Sequence, residues 1–177
     1  MRKFIITGAP GAGKTTILRQ LELEGYSVEE AATDVIAAAH ARGTDEPWRD
    51  PSFIDAIVRL QRERQIRACY EPAEVQFHDR SAVCTAALAA YLGYPASPVL
   101  TSELARIKRE AIYESRVFFV LGLAFVTPTE ARRIRLEEAT RFEKIHEAIY
   151  RELGFELIPV KSGSVEERVR IVKATIS

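Results

Sequence analysis

Apolar and polar positions along the chain switch repeatedly between two periods. KFIIT (residues 3–7) is a short β-rich run, the pattern of a buried strand. Residues 14–24 follow a helical period up to Gly25. YSVEE (26–30) reads as a short second strand, and alanine-rich 31–41 as a helix stopped by Gly43. A polar loop, GTDEPWRD, leads to Asp50-Pro51, an N-cap with proline at the first helical position. The next helix spans about 51–70, with Phe53, Ile57 and Leu60 on one face and many charges on the other. EVQFHD (74–79) is a third strand, and the helix over about 81–91 ends at Gly93-Tyr94-Pro95. Residues 101–113 predict another helix. RVFFVLG (116–122) is apolar throughout, as a central parallel strand should be. Thr127-Pro128-Thr129-Glu130 has the form of a capping box and opens a charged helical segment; a second helix runs to about 152. GFELIPV (154–160) is a fifth strand, and Ser164 to Glu167 is a capping box opening a final helix. Strand and helix alternate five times, which predicts an α/β fold: a parallel sheet covered on both faces.

Composition narrows the picture. A chain of 177 residues, 47% hydrophobic and 28% charged, suits one globular, soluble domain with a sizeable core. Lys plus Arg and Asp plus Glu number 25 each, so net charge gives no reason to expect nucleic acid or an anionic membrane as partner. Arginine outnumbers lysine 19 to 6; genome base composition accounts for such a bias as readily as phosphate binding does. Cys69 and Cys84 lack metal-ligand spacing and fall in predicted helices, which fits two ordinary core or half-buried thiols in a reduced, cytoplasmic protein. No leader is expected, and no apolar run approaches the roughly 20 residues that span a bilayer. A monomer or a homodimer fits equally.

The candidate chemistry starts at GAPGAGKTT (8–16), which follows the first strand and opens a helix. Gly8, Gly13, Lys14 and Thr15 match the spacing G-x4-G-K-[ST] of a phosphate-binding loop. Gly8, Ala9, Gly11, Ala12 and Gly13 supply backbone N–H groups, Pro10 completes the loop without one, and Lys14 reaches the β and γ phosphates. The Thr15 hydroxyl holds Mg²⁺, and Thr16 adds to the helix N-terminus, whose dipole favours anions. In a parallel sheet, ligands bind beyond the carboxyl ends of the strands. Asp79 ends strand three and is a candidate for the metal; capping the next helix is the other reading. Arg80 beside it reaches a phosphate or pairs with a carboxylate, whereas His78 points to the opposite side and reads as structural. Glu30 ends strand two and is a candidate acceptor of a substrate hydroxyl proton, with Asp34 as rival. Arg132, Arg133, Arg135 and Arg141 lie in EARRIRLEEATR (130–141): they close over a γ-phosphate or form a salt-bridged surface helix. Trp48 either stacks on a planar substrate ring or packs against the edge of the fold. Lys161 to Ser164, after strand five, are placed to flank an adenine base.

Taken in order, ITGAPGAGKTT, VEEAA, FHDRS, the arginine segment with RLEEA, LGFELIPV and SVEERV resemble small P-loop kinases. These are the nucleoside and nucleoside-monophosphate kinases, and especially the AAA-type ATPase/kinase family related to the ribosylnicotinamide kinase domain. The resemblance covers nearly the whole chain. It implies a three-layer α/β/α domain over 1–177, a five-stranded sheet in the order 2-3-1-4-5, and a short helical lid at about 127–141. It also implies ATP and Mg²⁺ as cofactors and a small-molecule phosphate acceptor such as a nucleoside, a nucleotide or a related hydroxyl compound. In its terms Glu30 meets the acceptor hydroxyl, Asp79-Arg80-Ser81 is an acid–Arg–Ser motif, and Arg132 and Arg133 belong to the lid. Residues 40–75 and 88–112 match no one substrate class. The competing expectation is a nucleotide-hydrolysing ATPase or a nucleotide-binding regulatory module. Strand three ends in Asp-Arg where motor ATPases carry Asp-Glu, and a chain without asparagine lacks the guanine motif of a GTPase switch.

Overall fold

The computed structural model describes residues 1–8, 11–29, 33–70, 72–121 and 136–176. Five strands form one parallel sheet: β1 (Arg2–Thr7), β2 (Ser27–Glu29), β3 (Val75–Asp79), β4 (Arg116–Val120) and β5 (Glu156–Val160). Their order is β2-β3-β1-β4-β5, as the resemblance implies. Chain connections reverse direction across the sheet between β1 and β3, so the crevice for a ligand opens at their carboxyl ends.

Alternation along the strands assigns the two faces. On one face Phe4, Phe77 and Phe118, from three adjacent strands, are fully buried with ring centroids 5.8 to 6.3 Å apart. Helices α1 (Lys14–Leu23) and α7 (Val165–Ile176) close over them through Ile17, Leu18, Leu21, Val169 and Val172. Each such phenylalanine contributes about 2 kcal/mol relative to exposure. On the other face Ile5, Val83, Val117 and Tyr150 form a second core. Helices α3 (Ser52–Ala68), α4 (Ala82–Leu92), α5 (Pro98–Arg109) and α6 (Leu136–Glu152) make this layer, and α2 (Thr33–Ala41) packs on α3. The result is a three-layer α/β/α sandwich.

Two expectations shift. The helix expected over 101–113 runs from Pro98 to Arg109, because Ser97 accepts a hydrogen bond from the Leu100 N–H at 3.1 Å and Pro98 pre-sets the first turn. Cys69, expected in a core or half-buried place, is exposed just past the end of α3, where it receives a hydrogen bond from the Lys3 ammonium at 2.8 Å; Cys84 is buried. No described helix is long and apolar enough to cross a membrane.

Candidate active site

The phosphate loop leaves β1 at Gly8, whose φ is +134°. A Cβ there would lie 2.1 Å from the Val120 carbonyl oxygen, so loop and β4 touch backbone to backbone. At its far end Gly13, at φ +83°, hands the chain to α1 without a side-chain cap. A helix N-terminus without a side-chain cap favours an anion through its dipole. Lys14 is buried, and its ammonium donates to the Gly8 carbonyl at 3.0 Å, folding across the loop it serves. Thr15 and Thr16 are exposed, and Ala12 is fully buried. Ala9 and Pro10 lie outside the described residues.

Asp79 closes β3 in register with Ile6, two positions before Gly8. Among the described residues its Oδ1 is buried without a hydrogen-bond partner. The capping alternative for this carboxylate falls away, because Ser81 caps α4 by accepting from the Val83 N–H at 3.3 Å. A buried, unsatisfied acid oxygen costs free energy unless something outside the described residues answers it. Mg²⁺ takes hard oxygen donors and one or two carboxylates, so Asp79 and the Thr15 hydroxyl fit that ion by donor type. No cluster of three or more His, Cys, Asp or Glu that would hold a metal by itself exists among the described residues. Arg80 adopts φ +75°, a strained value for a non-glycine residue at a strand end. Its N–H bonds Ile6 O at 3.1 Å, and its guanidinium donates to the Cys84 Sγ at 2.9 Å.

Under the loop lies a buried network that sequence reasoning missed. Thr7, the last residue of β1, is 3.0 Å from His146 Nε2 on α6. His146 stacks on Tyr150, with centroids 5.6 Å apart, and the Tyr150 hydroxyl meets Ser81 Oγ at 3.1 Å. Burial, reinforced by the Arg80 and Lys14 charges, holds the His146 imidazole well below its ordinary pKa, so it stays neutral. Burial pushes the Tyr150 phenol up. The helical spacing of His146 and Tyr150 was visible in the sequence; their partners on β1 and α4 were not.

Arg168, one turn into α7, donates to the Ala12 carbonyl at 2.7 Å. Nothing in SVEERV singled it out. His78 is buried on the opposite face from Asp79, edge-on to Tyr113. Trp48 is partly buried against Phe53 and Ile57, and its carbonyl accepts from the Tyr94 hydroxyl at 2.9 Å. Arg141 lies on α6 with its guanidinium 5.6 Å from the Tyr91 ring centroid, and Asp34 pairs with Arg64. Glu30, Arg132, Arg133 and Arg135 lie outside the described residues, as does the lid segment 127–135; residues 136–141 belong to α6. A surface groove lined by Val58, Arg59, Arg62 and Glu103, between α3 and α5, shares no residue with the loop.

Residues 3–168 match the AAA domain family. No curated protein sequence matches the chain significantly. Among solved structures, deoxyadenosine kinase from M. mycoides with bound dATP aligns over 98% of this chain and 98% of its own, with a TM-score of 0.65 at 14% identity. NadR protein in complex with NAD and AMP-PNP aligns over 98% of this chain, with a TM-score of 0.68 at 16% identity. The chain spans 48% of that protein's length. The likeness is one of fold.

Proposed function

We propose that this chain, which belongs to the AAA domain family, is an ATP-dependent phosphotransferase acting on the hydroxyl of a small metabolite such as a nucleoside or nucleotide. The observation that carries the reading is the buried Asp79 oxygen beside the phosphate loop, which has no partner among the described residues. The neighbours' ligands, dATP in one and NAD with AMP-PNP in the other, add support for a nucleotide in this crevice.

The backbone N–H groups of loop residues 8–13, Pro10 having none, and the α1 N-terminus hold the polyphosphate, and Lys14 exchanges its Gly8 contact for the β and γ phosphates. Thr15 and Asp79 would hold Mg²⁺, which would supply charge neutralisation to the polyphosphate. The acceptor hydroxyl attacks the γ-phosphorus in line. The bond from phosphorus to the β–γ bridging oxygen breaks, ADP leaves, and the hydroxyl proton passes to Glu30, the residue after the end of β2. Arg132 and Arg133 neutralise the transferred group, Arg80 binds the acceptor side, and Trp48 borders the acceptor. Positioning and electrostatics supply the catalysis.

The test is ADP formation with ATP and Mg²⁺, alone and against nucleosides, nucleoside monophosphates, ribosylnicotinamide and sugars, with Lys14→Ala as control. Turnover that depends on one acceptor and vanishes in the control is the expected result. Equal ADP in every condition would make the chain an ATPase and remove Glu30, Arg80 and Trp48 from acceptor roles. In a kinase, Glu30→Gln abolishes transfer while sparing ATP binding.

A further inference from the structure

Arg168 takes no part in the chemistry above, yet it is built into the phosphate loop. It sits on the first turn of α7, where the Ser164–Glu167 capping box and a 3.1 Å bond from its own N–H to the Ser164 carbonyl fix the backbone. Its side chain reaches the loop at the head of α1, on the same face of the sheet, and the residue is 4% exposed. Nη2 donates to the Ala12 carbonyl at 2.7 Å. Nη1 lies 2.7 Å from where a Cβ on Gly13 would be, so the guanidinium fills the space left by that glycine's missing side chain. Nε is buried without a partner among the described residues.

No ion pair to Arg168 exists among the described residues. The nearest acid along the chain, Glu167, turns its carboxylate to the Ser164 N–H at 2.8 Å, and the Glu166 carboxylate is engaged at the same cap. A guanidinium removed from water is normally matched by an anion, because burying an unpaired charge is costly. Burial lowers the Arg168 pKa, but a guanidinium keeps its proton regardless. The peptide it clasps, Ala12–Gly13, belongs to the stretch whose N–H groups face phosphate. The charge therefore lies behind a wall whose other side is an anion site.

We propose that Arg168 is a positioning residue that acts through the phosphate loop: it clamps Ala12–Gly13 and supplies a buried positive charge whose counter-anion is the bound polyphosphate. The inference rests on the reading that this loop binds a nucleotide. Its consequence is a dependence on phosphate number. Removing the charge weakens ATP more than ADP and ADP more than AMP, although base and sugar are constant. A guanidinium that only packs the loop would affect all three alike.

The experiment is calorimetric titration of ATP, ADP and AMP into the wild-type chain, Arg168→Gln and Arg168→Lys, with thermal melts of each. Arg168→Gln is expected to weaken ATP about tenfold or more and AMP by less than about threefold. Arg168→Lys keeps the charge without the fork, so its ATP-to-AMP affinity ratio stays within about threefold of wild type. Equal losses for ATP and AMP in Arg168→Gln, or no loss, overturn the inference. If Arg168→Gln does not fold, Arg168→Met, which also removes the charge, takes its place: a fall in the ATP-to-AMP affinity ratio supports the inference and an unchanged ratio overturns it. A wild-type chain that binds no nucleotide would overturn the functional reading itself, whereas equal losses in a chain that binds ATP overturn the Arg168 assignment alone.

Discussion

At Gly8 two constraints meet in one residue: a φ of +134° and a carbonyl oxygen 2.1 Å from any Cβ. Gly43 has a positive φ of +81° but nothing within 4 Å. The pair separates conformational strain from steric clash. Gly43→Ala should cost about 1 kcal/mol, the left-handed penalty alone. Gly8→Ala should cost at least about 3 kcal/mol, since backbone cannot yield as a side-chain tip does. Urea denaturation of the two variants checks this, and equal costs would mean that the contact between Gly8 and Val120 is not rigid. Asp79 makes the opposite case. Its Oδ1 is buried and has no partner among the described residues, so Asp79→Asn should leave stability unchanged or raise it by about 1 kcal/mol. The same variant should lower Mg²⁺-dependent transfer about a hundredfold or more. A variant that loses stability and activity together would mark Asp79 as structural.

Elements placed themselves where capping chemistry was explicit. The Ser164–Glu167 box was legible from spacing, and both of its reciprocal bonds form, at 2.8 and 3.2 Å. The start of α5 was misjudged because a Ser-Pro pair was passed over: Ser97 and Pro98 begin the helix, three residues before the first position expected. Ser164→Ala should cost about 1 kcal/mol, read as a shift in the denaturation midpoint. Because α7 carries Arg168, that variant should also weaken ATP binding if the helix terminus orients the guanidinium. Unchanged affinity would show that packing of Val169 and Val172 against the sheet suffices.

Across the whole molecule, two neutral buried imidazoles tie stability to pH. Burial, with the Lys3 charge adding to it, holds His78 at about 3, against an ordinary 6.5. His146 is displaced in the same direction. The unfolded chain binds protons that the folded one refuses, so this stability is complete above pH 6.5 and is lost as pH falls from there toward 3. At pH 5.5 His78 alone should cost roughly 1 kcal/mol, with His146 adding in the same sense. Urea midpoints at pH 7.5, 6.5 and 5.5 should fall accordingly; a flat profile would mean that neither imidazole stays buried and neutral.

Local rules were enough for much of this protein. Period and capping identified the strands and helices, and the glycine–lysine spacing identified the loop, because those signals act between residues a few positions apart. The strand order came through resemblance to a family frame, and the sheet reproduces it. The segment carrying Glu30 and the lid arginines was legible only as charge pattern and family likeness. What tertiary structure alone decided are the contacts across long sequence separations: Thr7 with His146, 139 residues apart, and Ala12 with Arg168, 156 apart. No periodicity encodes such a pair. It exists because β1 lies at the centre of the sheet, so that α6 on one face and α7 on the other both pack against the strand that carries the phosphate loop.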